Sequence, residues 1–140
     1  MLSFLGNSFV VTAIALTIII VHQAFKKVYG NENYISKSIV HLSLVQCTLF
    51  IISFLTLILS FIFSDFSLIT VYQNSHSSKP LLYKISGTWG NHEGSLLLWL
   101  NVLVIFSYLF LVFNLKSNKK YILFTVIFQN LIILFFSLFL

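Results

Sequence analysis

The sequence predicts an all-α integral membrane protein, with four transmembrane helices and one longer outward-facing loop between helices 2 and 3. Composition is the first reason. Of 140 residues, 59% are hydrophobic and 8% charged, with a mean hydropathy of +1.00. Soluble domains carry roughly 45–50% apolar and about 25% charged residues, so a water-soluble surface is not available. The second reason is distribution. Charged residues gather in three polar breaks and leave uncharged stretches at 1–25, 38–64, 94–115 and 121–140. A helix crossing about 30 Å of hydrocarbon needs roughly 20 mostly apolar residues, and each stretch meets that length. Helices are expected at about 3–25, 39–63, 90–115 and 121–140, with the loop at about 64–89, all in one membrane domain spanning 1–140.

Lysine placement sets the expected topology. Eight lysines, no arginine and three acids give a net charge of +5. The lysines are few and scattered between apolar runs, which argues against nucleic acid as a partner and for membrane orientation. The first break holds Lys26, Lys27 and Lys37, the short third break Lys116, Lys119 and Lys120, and the long middle loop only Lys79 and Lys84. The first and third breaks are therefore expected on the inner side, with the middle loop and both termini outside.

Three alanines, five glycines and one proline stand against sixteen phenylalanines. A bilayer accepts alanine and glycine readily, so the bias looks like that of an A/T-rich organelle genome. No Arg- and Ser-rich amphipathic presequence precedes the first apolar run, which is also too long for a cleaved signal peptide and lacks its basic start. The single cysteine, Cys47, excludes an intramolecular disulfide and a multi-cysteine metal site, and inside the second span it reads as a small buried apolar residue. The last run ends at Leu140 without a flanking lysine or tryptophan. Two readings stay open there: a short protein whose carboxylate anchors its own end, and a fragment of a longer ancestor.

The middle loop is the most informative segment. Phe66 to Tyr72 is rich in β-branched and aromatic residues and suggests an extended run along the membrane surface. Asn74 to Pro80 reads as a polar turn, after which Leu81, Leu82 and Tyr83 return the chain to the interface. Then comes Trp89-Gly90-Asn91-His92-Glu93-Gly94-Ser95, a combination that a bilayer does not require. If helical, it puts Trp89, His92, Leu96 and Trp99 on one face. Gly90 and Gly94 fall four apart on another face, a small-xxx-small spacing that lets a second backbone approach. Glu93 falls in the first turn of the third span, where the helix dipole favours a carboxylate. Each residue also has a plain structural role open to it: interfacial tryptophan, helix-packing glycine, capping His–Glu pair. Their concentration in eleven positions is what singles the segment out.

At these residues the chain resembles a known family. WGNHEGSLLLW is similar to the amino-terminal signature of the CcmF family, the membrane subunit of the haem lyase that matures c-type cytochromes. The preceding DFS…VYQNS…P…YKISGTWG resembles that family's first large outward loop, and the likeness covers about residues 60–105. It implies a role in attaching haem covalently to apocytochrome c, on the bacterial periplasmic face or in the mitochondrial intermembrane space. It implies partners too: a haem chaperone, a thiol-handling subunit, apocytochrome c and the lipid bilayer. With the organelle-like composition, the expected location is the mitochondrial inner membrane.

The family's tryptophan-rich haem-contacting loop and its flanking histidine ligands have no counterpart here, since Trp89 and Trp99 are the only tryptophans. The resemblance therefore carries over no catalytic residue, no haem ligand and no metal ligand. The motif residues Trp89, Gly90, His92, Glu93, Gly94 and Trp99 are expected to serve partner binding. Haem is handled by the complex, without expected contact to this chain. The implied organisation is a split protein, with other CcmF-type fragments supplying the tryptophan-rich loop. His22 and His41 near the inner ends of the first two spans are close enough in depth to pair, or are simply polar helix-end residues; His76 reads as solvated. A structural subunit of a respiratory-chain assembly is the alternative function, with respiratory-complex subunits as partners. A transporter is disfavoured, because the span interiors contain no Asp, Glu, Lys or Arg.

Overall fold

A computed structural model describes residues 2–30, 35–116 and 118–140. Parts of the first and third polar breaks, including Glu32, thus lie outside the described residues. The chain forms α1 (Leu2–Tyr29), α2 (Lys37–Ile62), α3 (Ile69–Asn74), α4 (Leu81–Gly87), α5 (His92–Phe113) and α6 (Lys119–Ser137), with no strand among the described residues. The four long helices are long and apolar enough to cross a membrane. They close a ring in which α1 packs on α2 and α6, and α5 packs on the same two.

Helix ends follow local chemistry. α1 runs on through Lys26 and Lys27 to Tyr29, placing two ammonium groups at the negative end of its dipole. Ser36 caps α2, its hydroxyl accepting from Ser38 N at 3.2 Å. α2 stops in a Schellman turn: Asp65 N donates to Ser60 O at 2.9 Å and Ser64 N to Phe61 O at 3.2 Å. Ser64 takes the left-handed conformation there, at φ 54°, where glycine is usual. Asn118 caps α6, accepting from Lys120 N at 3.1 Å.

The middle segment differs from expectation. Residues 69–74 are helical, although Phe66 to Tyr72 suggests an extended run. The turn of helix buries Val71 completely. Burial of Val71 outweighs a β-propensity that reflects packing context more than backbone preference. The second short helix, α4, follows Pro80 and packs against the end of α2, bringing Gly87 near the buried Phe61 ring.

Two apolar clusters fill the bundle. One, at the lysine-rich end, includes Ile20, Ile39, Leu111 and Ile127. The other includes Ala13, Phe50, Leu100 and Ile133. Between them lies a polar layer. Gln46 Nε2 donates to Thr17 Oγ1 at 2.7 Å and to Asn130 Oδ1 at 3.0 Å, and all three residues are buried. Thr17 in turn donates to Ala13 O and Asn130 to Val126 O, each at 2.9 Å. One amide group therefore ties α1, α2 and α6 together, reaching across the ring from α2 to α6. Lipid gives apolar faces little reason to associate, so close packing and bonds of this kind hold such helices together.

Replacing Gln46 with leucine should destabilise the bundle by about 1–2 kcal/mol, the scale of interhelical hydrogen bonds in lipid. Thr48→Val should change little, because Thr48 is exposed and its hydroxyl donates only within its own helix, to Val45 O at 2.8 Å. Thermal unfolding in detergent compares the two.

Candidate functional site

The motif residues gather where α4 hands over to α5, and Asn91 organises the junction. Its side chain works in both directions. Oδ1 accepts from Gly94 N at 2.7 Å, capping α5. Nδ2 donates to Gly87 O at 2.9 Å and to Thr88 O at 3.3 Å, holding the end of α4. An asparagine N-cap uses its acceptor alone; here the two amide protons also tie down the preceding turn.

This cap corrects two sequence expectations. α5 begins at His92 rather than at residue 90, so Trp89 and Gly90 stand outside the helix. Trp89 therefore does not continue the face of His92, Leu96 and Trp99. Gly90 and Gly94 do not form a small-xxx-small stripe on one helix. Gly94 is needed for another reason: the Thr88 carbonyl oxygen occupies the space that its Cβ would take. The close approach is made by the chain's own turn, not by a second helix. At Gly90, by contrast, an added Cβ meets nothing nearer than 3.5 Å.

With the turn closed, the remaining motif side chains point outward. Trp89 is 43% exposed, and His92 and Glu93 are exposed beside it. Glu93 stands in the first turn of α5. It lines a groove of about 700 Å³ with Asn7 of α1, Ser67, Thr70 of α3 and Leu97, and is the one charged side chain on that wall among the described residues. Trp99, two turns along α5, is 63% exposed and continues outward through the exposed Phe106 and Phe113 at seven-residue spacing. Thr88 is fully buried, and its hydroxyl has no hydrogen-bond partner among the described residues.

Two contacts set the stretch that follows α2, one of them reaching α4. Lys84 Nζ donates to Ser64 Oγ at 2.7 Å, joining α4 to the Schellman turn. Asp65 Oδ1 accepts from the Ser67 hydroxyl at 2.6 Å and from Ser67 N at 3.2 Å. The hydroxyl bond, then the backbone bond, hold the Asp65 carboxyl below the usual carboxylate range. The Asp65–Ser67 contact is therefore present with the carboxylate ionised at neutral pH and weakens as pH falls through that lowered value.

The histidines do not converge. His41 is exposed on the α5 side of α2, in a groove with Lys37, Tyr108 and Lys119, while His22 is exposed on α1 outside that groove. His76 is exposed in the turn between α3 and α4. Among the described residues, no three His, Cys, Asp or Glu side chains come together. Cys47 is buried beside Phe50 in the core.

Against known proteins, the chain is 61% identical over 54 residues to the cytochrome c-type biogenesis protein CycK of Bradyrhizobium diazoefficiens, covering 39% of this chain and 8% of that protein. It is 51% identical over 80 residues to CycK of Rhizobium meliloti, covering 56% and 12% respectively. With the cytochrome c-type biogenesis protein CcmF of Escherichia coli it shares 47% over 47 residues, covering 34% and 7%. Over these stretches the chain is related to the CcmF-type cytochrome c-type biogenesis proteins. It spans about a tenth of the length of those CcmF-type relatives. No protein-family model and no solved structure matches it.

Gly94→Ala should cost about 1–3 kcal/mol through overpacking against the Thr88 carbonyl, and Asn91→Ala about 0.5–2 kcal/mol as a lost cap. Gly90→Ala should stay within about 0.5 kcal/mol. Thr88→Val, which removes an unpaired hydroxyl at constant shape, should be neutral or stabilising. Thermal unfolding, with protease cleavage between α4 and α5 as a local readout, ranks the four.

Proposed function

We propose that this chain is the amino-terminal piece of a divided CcmF-type haem lyase, assisting covalent haem attachment to apocytochrome c. The observation that carries the proposal is the turn at 88–94. Its sequence is the one that resembles the family, and its Asn91-capped fold leaves Trp89, His92 and Glu93 exposed. The relatedness to cytochrome c-type biogenesis proteins supports the pathway.

In this proposal haem is a substrate of the complex. Each vinyl group of the haem takes up one thiol of a Cys-x-x-Cys-His segment: the S–H adds across the C=C, a thioether forms, and no atom is lost. Haem ligands and catalytic groups come from other CcmF-type chains bearing the tryptophan-rich loop. This chain contributes a docking face for those chains, for the haem chaperone or for apocytochrome c, through Trp89, His92, Glu93 and Trp99. Gly94 shapes that face rather than touching a partner, and Gly90 leaves the turn open beside it.

The setting belongs to the same proposal. Lysines crowd one end of the bundle, where the α1 and α5 chains finish and α2 and α6 begin, which supports the opposite end as the outer one. The phenylalanine-rich, alanine-poor composition supports an organelle gene, and hence the mitochondrial inner membrane with the motif turn toward the intermembrane space.

Trp89→Ala and His92→Ala should each lower holocytochrome c while leaving membrane insertion intact. The loss in partner binding should be about 2 kcal/mol for an aromatic anchor of this kind. Normal holocytochrome c in both variants, with the chain recovered in a respiratory complex, would instead make it a structural subunit.

A further inference from the structure

A second groove lies at the other end of the bundle, between α2 and α5. Its volume is about 670 Å³. Lys37, His41, Tyr108 and Lys119 supply its polar wall, and Val40 and Leu44 part of its apolar wall. None of these residues belongs to the motif turn.

Among the described residues, the surrounding charge is one-sided. Lys26, Lys27, Lys37, Lys116, Lys119 and Lys120 all stand at this end, by the finish of α1 and α5 and the start of α2 and α6. The carboxylate side chains among the described residues, Asp65 and Glu93, lie at the opposite end, beyond the finish of α2 and in the first turn of α5. Lys119 lines the groove, and its Nζ donates to the Leu115 carbonyl oxygen, which leaves further ammonium protons for a ligand. Lys37 is exposed at the start of α2, where the helix dipole adds positive potential.

We propose that this groove holds the headgroup of an anionic glycerophospholipid. The phosphodiester sits between Lys37 and Lys119, with Tyr108 and His41 alongside, and an acyl chain runs down the apolar wall past Leu44. Basic recesses between transmembrane helices recognise acidic lipid headgroups in this way. The apolar wall distinguishes a lipid from a free phosphate. Leu44 is exposed on the flank of α2, so the groove is continuous with the apolar outside of the bundle. A small hydrated anion gains nothing from such a wall. The assignment stands independently of the haem-lyase proposal.

The test reconstitutes the full chain with equimolar phosphatidylglycerol and phosphatidylcholine, then counts retained lipids by native mass spectrometry after detergent extraction. Phosphatidylglycerol should be retained over phosphatidylcholine. The Lys37→Gln, Lys119→Gln pair should weaken that retention about thirtyfold, at about fivefold per charge near a membrane surface. Lys37→Arg with Lys119→Arg should keep the lipid, as should Lys116→Gln with Lys120→Gln, which removes equal charge outside the groove. Equal retention of the two lipids, or undiminished retention in the glutamine pair, overturns the proposal. Displacement by inorganic phosphate overturns it too, by making the site one for free phosphate. If the glutamine pair fails to insert, Leu44→Trp fills the groove with its charges intact; it should expel phosphatidylglycerol, and full retention there is again contrary.

Discussion

The amide of Asn91 is the contact on which the candidate site depends. It spends its acceptor on the first turn of α5 and its donors on the last carbonyls of α4 and Thr88. That closure draws the Thr88 carbonyl into the space left by a missing side chain at Gly94. Any larger residue at 94 forces the Thr88 carbonyl to shift and strains this passage from interface to membrane interior. Trp89 is thereby left on the outside of a turn, with His92 and Glu93 at the rim of a helix, instead of continuing the helical face of His92, Leu96 and Trp99. Their placement comes from a connection closed by side-chain hydrogen bonds.

The bundle beneath supplies the platform. Its helices are apolar nearly throughout, so outward faces such as Trp99, Phe106 and Phe113 suit lipid or another helix. Specific pairing comes instead from the layer of Gln46, Thr17 and Asn130, set between two apolar clusters. A buried amide that reaches two other helices selects one arrangement of three, because any slip leaves its donors unmet in hydrocarbon. At the rim, Lys84 joins α4 to the turn that ends α2, and Asp65 closes a local turn on Ser67.

Much of this was legible in the sequence, for a physical reason. Spanning a bilayer imposes a length and forbids charge, so the four long helices stand out as uncharged stretches bounded by lysines. The short helices were harder. Ile69 to Tyr72 carries β-branched and aromatic residues, and only the burial of Val71 shows why it coils into α3. The glycine spacing at 90 and 94 suggested helix packing, because a sequence does not show that the helix starts between them. The signal was present nonetheless: Asn91, followed by an acidic residue in the next turn, is a helix-start signature. Gln46 and Asn130 were missed because attention to ionisable groups passes over neutral amides in mid-span, although an amide in hydrocarbon needs partners just as surely.

The central claim is that the chain acts within a cytochrome c maturation complex whose haem-handling half lies elsewhere. Mild-detergent affinity purification of the tagged chain, with mass spectrometry of its partners and an absorption spectrum for haem, tests this most directly. The account predicts co-purification with a chain bearing a tryptophan-rich loop, together with a haem signal that is lost when that chain is removed. Recovery solely with respiratory-complex subunits, without excess haem, would contradict it.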